Sequence, residues 1–340
     1  MRDREIRTME QHTATTDRMT FPDTRNAVRV GLVGCGRLAQ SGYLPAFQRT
    51  SEAVLVGVAD VDLSRCREIA PGVPAYEGIH ELIAAGIVDA LIISTPTHRH
   101  LADAIAASQA KIPTLVEKPP GVDLHEAEAL SELNPAPWIA FNRRFDPDLA
   151  GLRSRMPQSG KPDMRLELHY RRTAWNPFDM RDDALLDLGP HLIDLARWLT
   201  RRDIVSVRAL LITDQRAEFE LGLTHGRALV ACSTNRPYSE RLDLGGMDGV
   251  TGISYRRGGL LKGILARMIP KRDNPLVNSL VRQLDAFGLA VRRGSSESLA
   301  AATDGVAVMS AIEAIRRSAA EQGKQIRLEN GAFPRSVRTA

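Results

Sequence analysis

Ala27-Val28-Arg29-Val30-Gly31-Leu32-Val33-Gly34-Cys35-Gly36-Arg37-Leu38-Ala39 is the stretch on which the reading of the fold turns. Its apolar run, 28–33, reads as a strand, and Gly34-Cys35-Gly36-Arg37-Leu38-Ala39 reads as G-x-G-x-x-A where that strand turns into a helix. The pattern has a physical use at that place only. Gly34 makes the tight turn, Gly36 lets the backbone approach a pyrophosphate, and Ala39 keeps helix and strand close. The helix start then presents free N–H groups and a partial positive charge to the phosphates. Gly34, Cys35, Gly36, Arg37 and Leu38 are therefore candidate dinucleotide-binding residues.

A glycine triplet by itself is an ordinary strand-to-helix turn. Here the next apolar run, 54–59, ends in Asp60, at about the 20-residue spacing of an acid that bonds a ribose 2′-hydroxyl. Asp62 is better suited than Asp60 to cap the helix that follows. A carboxylate there repels a 2′-phosphate, so the expected cofactor is NAD rather than NADP, with Arg37 and Arg65 close enough in sequence to temper the preference.

Working outward, short runs at 28–33, 54–59, 90–94, 114–116 and 138–141 read as strands, with helical patterns at 63–69, 79–85, 100–110 and 124–130 between them. Strands rich in Val, Ile and Leu, each followed by a helix, imply a parallel sheet covered on both faces. The right-handed crossover rule makes it doubly wound. From about Lys161 the rhythm changes. Residues 165–170 alternate polar and apolar, and runs at 204–213, 217–223, 228–233, 241–244 and 250–255 follow with turn residues between them. That predicts a mostly antiparallel sheet. Helices at 190–200, 276–289 and 298–321 are expected to cover one of its faces, leaving the other free for a partner subunit. The expected fold class is α/β plus α+β, and the expected division is a disordered extension (1–26), a Rossmann domain (27–146), an α+β substrate and oligomerisation domain (147–330) and a short tail (331–340).

With 340 residues the chain can bury a large core. The formal charge of +4 comes from interspersed residues, so no nucleic-acid partner is expected. No run reaches the roughly 18–20 apolar residues that span a bilayer, and the N-terminal segment lacks the apolar core of a secretory signal, so a cytoplasmic protein without a membrane partner is expected. Cys35, Cys66 and Cys232 show neither C-x-x-C spacing nor an even set, which fits a reducing compartment without structural disulfides or zinc.

Three segments bear on chemistry. The run 90–94 leads into Thr95-Pro96-Thr97-His98-Arg99-His100, at the carboxyl end of a parallel strand, where ligands bind. The next strand ends in Glu117-Lys118-Pro119-Pro120, whose prolines fix the backbone of the lysine. The third is Asp187-Leu188-Gly189-Pro190-His191-Leu192-Ile193-Asp194. Pro190 suits a first helical position, which would put His191 in the first turn, where the helix start disfavours the imidazolium. Asp187 would orient that ring as a base; the plain alternative is a buried structural histidine and a surface cap. Asp194, one turn on, is as well matched to Arg197 and stays outside the set.

The set Gly34–Ala39, Asp60, Thr95–His100, Glu117–Pro120, Asn142–Phe145 and Asp187–Asp194 resembles the glucose–fructose oxidoreductase, inositol dehydrogenase and rhizopine-catabolism (Gfo/Idh/MocA) family over roughly residues 27–328. The resemblance implies that Lys118, Asp187 and His191 are catalytic, and that Thr95, Pro96, His98, Glu117 and Lys118 join the cofactor site. It implies hydride transfer between a nicotinamide cofactor and a hydroxyl or keto carbon of a sugar, cyclitol or sugar-nucleotide derivative, in a homodimer or homotetramer built on the sheet face. Arg144, Arg172, Trp175 and Asn176, with Arg171 beside them, fall where such relatives face the substrate, and the arginines suit an anionic one. An NAD-dependent glycosidase and a non-catalytic dinucleotide-sensing regulator are the alternatives; retention of the lysine, aspartate and histidine favours an enzyme. The basic, apolar segment 256–274 departs from the family pattern and reads as a helix packed on its own sheet or a partner, with a membrane-surface helix as the rival reading.

Overall fold

A computed structural model describes residues 26–156, 159–175, 182–245, 252–258 and 274–328. The N-terminal expectation for 1–25, the C-terminal tail and most of the segment 256–274 lie outside these residues.

The first half alternates strand and helix. β1 (Val28–Val33) leads through a π-helical turn (Ala39–Tyr43) into α1 (Leu44–Phe47), and then come β2 (Ala53–Ala59), α2 (Leu63–Ile69), β3 (Ala75–Tyr76) and α3 (Ile79–Ala84). β4 (Ala90–Ile93), α4 (His100–Gln109), β5 (Thr114–Glu117), α5 (Leu124–Ser131) and β6 (Trp138–Ala140) follow. The strands pair in parallel in the order β6-β5-β4-β1-β2-β3, a doubly wound sheet whose switch point lies between β1 and β4. β4 and β5 are buried along their whole length, as strands covered on both faces must be.

A 3-10 turn (Asn142–Phe145) and α6 (Pro147–Arg155) lead into β7 (Asp163–Arg171), α7 (Arg172–Trp175) and α8 (Ala184–Thr200). β8 (Ile204–Thr213), β9 (Arg216–Leu223), β10 (Arg227–Ser233), β11 (Asn235–Gly245) and β12 (Ile253–Gly258) follow, so residues 256–258 of the basic segment are strand. The described residues close with α9 (Pro275–Arg293), β13 (Ala300–Ala301), α10 (Ala302–Ala320) and β14 (Ile326–Arg327). The second sheet runs β12-β11-β7-β10-β9-β8-β14 and is antiparallel except at β7–β10. Its strands alternate as read: Ala217, Phe219, Leu221 and Leu223 are buried in one core with Leu192, Leu195 and Leu199 of α8 and Val308 and Ile312 of α10. Leu210 and Leu229 stay exposed.

Two expectations are corrected. The helix expected at 190–200 begins at Ala184, because Asp183 caps it through the Leu186 N–H and the apolar residues Leu185, Leu186 and Leu188 extend its buried face. Pro190 therefore lies inside the helix, and His191 is beyond its first turn. The helix expected at 276–289 does not cover the second sheet. Val277, Leu280, Leu284 and Phe287 of α9 share a core with Val28, Val30, Leu32 and Phe47 of the first. β13 then adds an antiparallel edge to β6 before α10 crosses back. Among the described residues no helix is long and apolar enough to cross a membrane.

Candidate active site

The carboxyl ends of β1, β4, β5 and β6 open into a cavity of about 1570 Å³ that reaches across to β7 and α8. Pockets for single small ligands run to about 1,000 Å³, so this one has room for a dinucleotide with a second ligand beside it. At one end Gly34 has φ +98°, and a Cβ there would lie 2.4 Å from the Ser94 carbonyl oxygen. Only glycine fits that turn. A Cβ on Gly36 would meet nothing within 4 Å, and Gly36 lines the cavity, so its bare backbone faces open space where a phosphate can approach. Ala39 is fully buried, as helix-on-strand packing requires.

Asp60 also lines this end and braces it. Its Oδ2 accepts the Cys35 N–H at 2.7 Å, and its Oδ1 accepts the Asp62 N–H at 3.0 Å and lies 3.4 Å from Arg65 Nη1. Asp62 caps α2. Arg65 is thus drawn between two carboxylates, while Arg37 donates to Gln40. Cys35, Cys66 and Cys232 are free and buried. The glycine cradle, the acid at the end of β2 and the cavity together fit a dinucleotide.

The loops after β4 and β5 are tied together by His100, the last residue of the segment 95–100 singled out in the sequence. The His100 ring contacts the Pro119 and Thr95 carbonyls, each at 2.8 Å, and burial holds its pKa below the ordinary histidine value despite them. Thr95 in turn donates to Asp103 at 2.8 Å, and Pro96 and His98 line the cavity. Glu117 is buried. One oxygen accepts the Tyr43 hydroxyl at 2.6 Å and the other accepts the Lys118 N–H at 3.1 Å, and burial raises its pKa.

At the far end Lys118 and Asp187 meet. Lys118 Nζ donates to the Asp187 carbonyl at 2.9 Å and to its Oδ1 at 3.1 Å. The other Asp187 oxygen accepts the Tyr170 hydroxyl at 2.5 Å and Arg172 Nη2 at 3.0 Å. Burial pushes the Asp187 carboxyl up, but the Lys118 charge, the Tyr170 hydroxyl and Arg172 outweigh it and hold it below the usual carboxylate range. Asp187 therefore does not orient His191, contrary to expectation. Its bonding capacity goes instead to donors from the residue that follows β5, from β7 and from α7.

His191 lines the cavity; its Nδ1 is buried without a partner among the described residues, which leaves Nε2 as the ring nitrogen open to the cavity. Burial, then the positive charges of Lys118 and Arg143, hold its pKa well below the ordinary histidine value. Neutrality was expected from a helix start, but it comes from burial and neighbouring cations. Asp182 also faces the cavity, accepts the Thr97 hydroxyl at 3.1 Å and has a pKa raised by burial.

The expected substrate residues fare differently. Arg144 is buried in a two-pronged pair with Asp194 (2.5 and 2.9 Å) and also lies 3.1 Å from Asp304, so its charge faces the core. This also corrects the match of Asp194 with Arg197, which pairs with Asp304 and Asp203. Arg172 is engaged by Asp187. Arg171, Arg143 and Arg257 line the cavity in their place. Asn176 and the Trp175 side chain lie outside the described residues. The site roles of Tyr170 and Asp182 went unread because their partners are distant in sequence.

Comparison with known proteins agrees with this layout. Residues 28–135 match a family model described as an oxidoreductase family with an NAD-binding Rossmann fold, and residues 148–249 match the GFO/IDH/MocA C-terminal domain. An inositol 2-dehydrogenase of Corynebacterium glutamicum is 31% identical over 191 residues, 53% of this chain and 56% of that protein. The chain thus spans little more than half the length of that relative. The rhizopine catabolism protein MocA of Rhizobium meliloti is 28% identical over 302 residues, 84% of this chain and 93% of the relative. A myo-inositol dehydrogenase from Lactobacillus casei, solved in complex with NAD(H) and myo-inositol, has the same fold with a TM-score of 0.73, covering 91% of this chain and 98% of that one at 15% identity.

Proposed function

Because the chain belongs to the Gfo/Idh/MocA oxidoreductase family, we propose that it transfers a hydride between NAD and a hydroxyl or keto carbon of an uncharged cyclitol or sugar. The observation that carries the reading is the Lys118–Asp187 pair beside a neutral His191 in the cleft. Gly34, Gly36 and Asp60 would hold the dinucleotide, with Thr95, Pro96, His98 and Glu117 bordering it. Bound NAD would supply the hydride acceptor.

Each side chain then has a task. Asp187 occupies two of the three Lys118 Nζ hydrogens, through its carbonyl and its carboxylate. The third is left for the reacting oxygen, where a cation stabilises developing alkoxide charge. His191, held neutral, takes the hydroxyl proton at Nε2, and in the reverse direction returns it. Tyr170 and Arg172 keep Asp187 ionised and fixed. Two of the arginines expected to bind an anion, Arg144 and Arg172, are committed to carboxylates within the protein, and Asp182 adds a carboxyl to the cleft. That favours a polyol over a phosphate or carboxylate, as does the inositol 2-dehydrogenase relative. A dimer or tetramer built on the open face of the second sheet belongs to the same reading.

The test is NADH formation, followed by absorbance, with NAD over a panel of cyclitols, neutral sugars and sugar acids. A rise with an uncharged polyol that falls about 10²- to 10⁴-fold in both Lys118→Ala and His191→Ala is expected. A rise confined to anionic substrates, or one that survives both substitutions, sinks the proposal.

A further inference from the structure

Asp182 lies just before α8, the helix that carries Asp187 and His191. It is not spent on that helix, because Asp183 is the cap and pairs with Arg316. Asp182 turns instead to the loop after β4. There its Oδ2 accepts the hydroxyl of Thr97, the first residue of a 3-10 turn, at 3.1 Å. Its other oxygen, Oδ1, makes no hydrogen bond or ion pair with a described residue. Nor is that oxygen sealed away. The buried polar atoms without partners include Asn142 Oδ1 and the Gln283 amide, but not Asp182 Oδ1. Asp182 is half-buried, lines the cavity and feels the charges of Lys118 and Asp187.

An open carboxyl oxygen in a cavity wall, with no cation paired to it, is satisfied by hydrogen-bond donors. A polyol brings several, since only one of its hydroxyls reacts between Lys118 and His191. A phosphate or carboxylate brings none and is repelled. Thr97 already holds the carboxyl, so Oδ1 has little freedom left to lose when a ligand arrives. We propose that Asp182 Oδ1 accepts a second, non-reacting hydroxyl of the polyol and so selects substrates that carry it. The proposal rests on the proposed function and adds a specificity-determining residue to it.

The test uses the full chain, NAD and the best uncharged substrate from the panel of cyclitols and neutral sugars. Asp182→Ala is expected to raise KM about 10- to 100-fold, the size of one hydrogen bond to a charged group. Because the contact is made equally before and during reaction, kcat should stay within about threefold. Monodeoxy analogues of that substrate, each lacking one non-reacting hydroxyl, identify the contact. One of them should show the raised KM already in the wild type and be indifferent to Asp182→Ala. The nicotinamide ribose also carries hydroxyls, so NADH dissociation constants are measured by fluorescence titration and should not change. An unchanged KM, analogues that all respond to Asp182→Ala as the parent does, or an equal loss of NADH affinity overturns the proposal and leaves the proposed function standing. Should Asp182→Ala fail to fold, Asp182→Asn, which removes the charge and keeps the shape, is read against the same analogues. Failure of the wild type to oxidise any uncharged polyol overturns both.

Discussion

At His191 three influences act in one direction: burial first, then the charges of Lys118 and Arg143, all against the imidazolium. NMR of the ring is expected to show neutral imidazole at pH 6, and Lys118→Met, which removes one cation, should move its titration upward toward the ordinary value of about 6.5. A ring that titrates normally in the wild type contradicts the electrostatics described for the cleft. The same depression has a sign in stability. Below about pH 6.5 the unfolded chain takes up a proton that the folded ring refuses, so this contribution is present above that pH and declines as pH falls toward the folded value. Asp187, His191 and Lys118 were legible in sequence as residue types at telling places. What sequence could not give is who holds whom. Asp187 and His191 are one helical turn apart, which suggested a pair, yet Lys118, Tyr170 and Arg172 reach Asp187 from elements that only the folded chain brings near.

The loop between β1 and the π-helical turn contains two glycines that do different things, and substitution should separate them. Gly34→Ala puts a Cβ against the Ser94 carbonyl at positive φ and should cost about 2–3 kcal/mol of stability, read as a lower urea midpoint. Gly36→Leu points into open cavity, so folding should change by less than about 1 kcal/mol. Its NADH affinity should nevertheless fall at least about tenfold, because the side chain takes the space a phosphate needs. Loss of stability in Gly36→Leu, or unchanged NADH binding, would contradict these roles. Elements of the first sheet were the most legible, since alternating strand and helix impose two strong periods on local sequence. α9 was read as a helix but assigned to the wrong sheet. Its apolar stripe says that a face is buried and nothing about which partner buries it.

On the scale of the whole molecule, Arg144 joins the 3-10 turn after β6 to Asp194 of α8 and Asp304 of α10. Arg144→Leu leaves Asp194 buried without its cation and should cost about 3–5 kcal/mol, a large share of the 5–15 kcal/mol that holds an ordinary domain together. Arg144→Leu with Asp194→Leu should cost less than Arg144→Leu alone, because Asp304 keeps Arg197. Urea denaturation of the two variants checks the order, and the reverse order would assign the effect to lost packing rather than to a stranded charge.

The return of α9 and β13 to the first sheet carries a consequence in time. A ribosome delivers β1 to β6 early, with every strand of the parallel sheet in hand. The core around Val28, Val30 and Leu32 nonetheless lacks Val277, Leu280, Leu284 and Phe287 until the last quarter of the chain emerges. The half of the molecule that is translated first is thus completed last, and through most of synthesis it waits with an apolar surface uncovered.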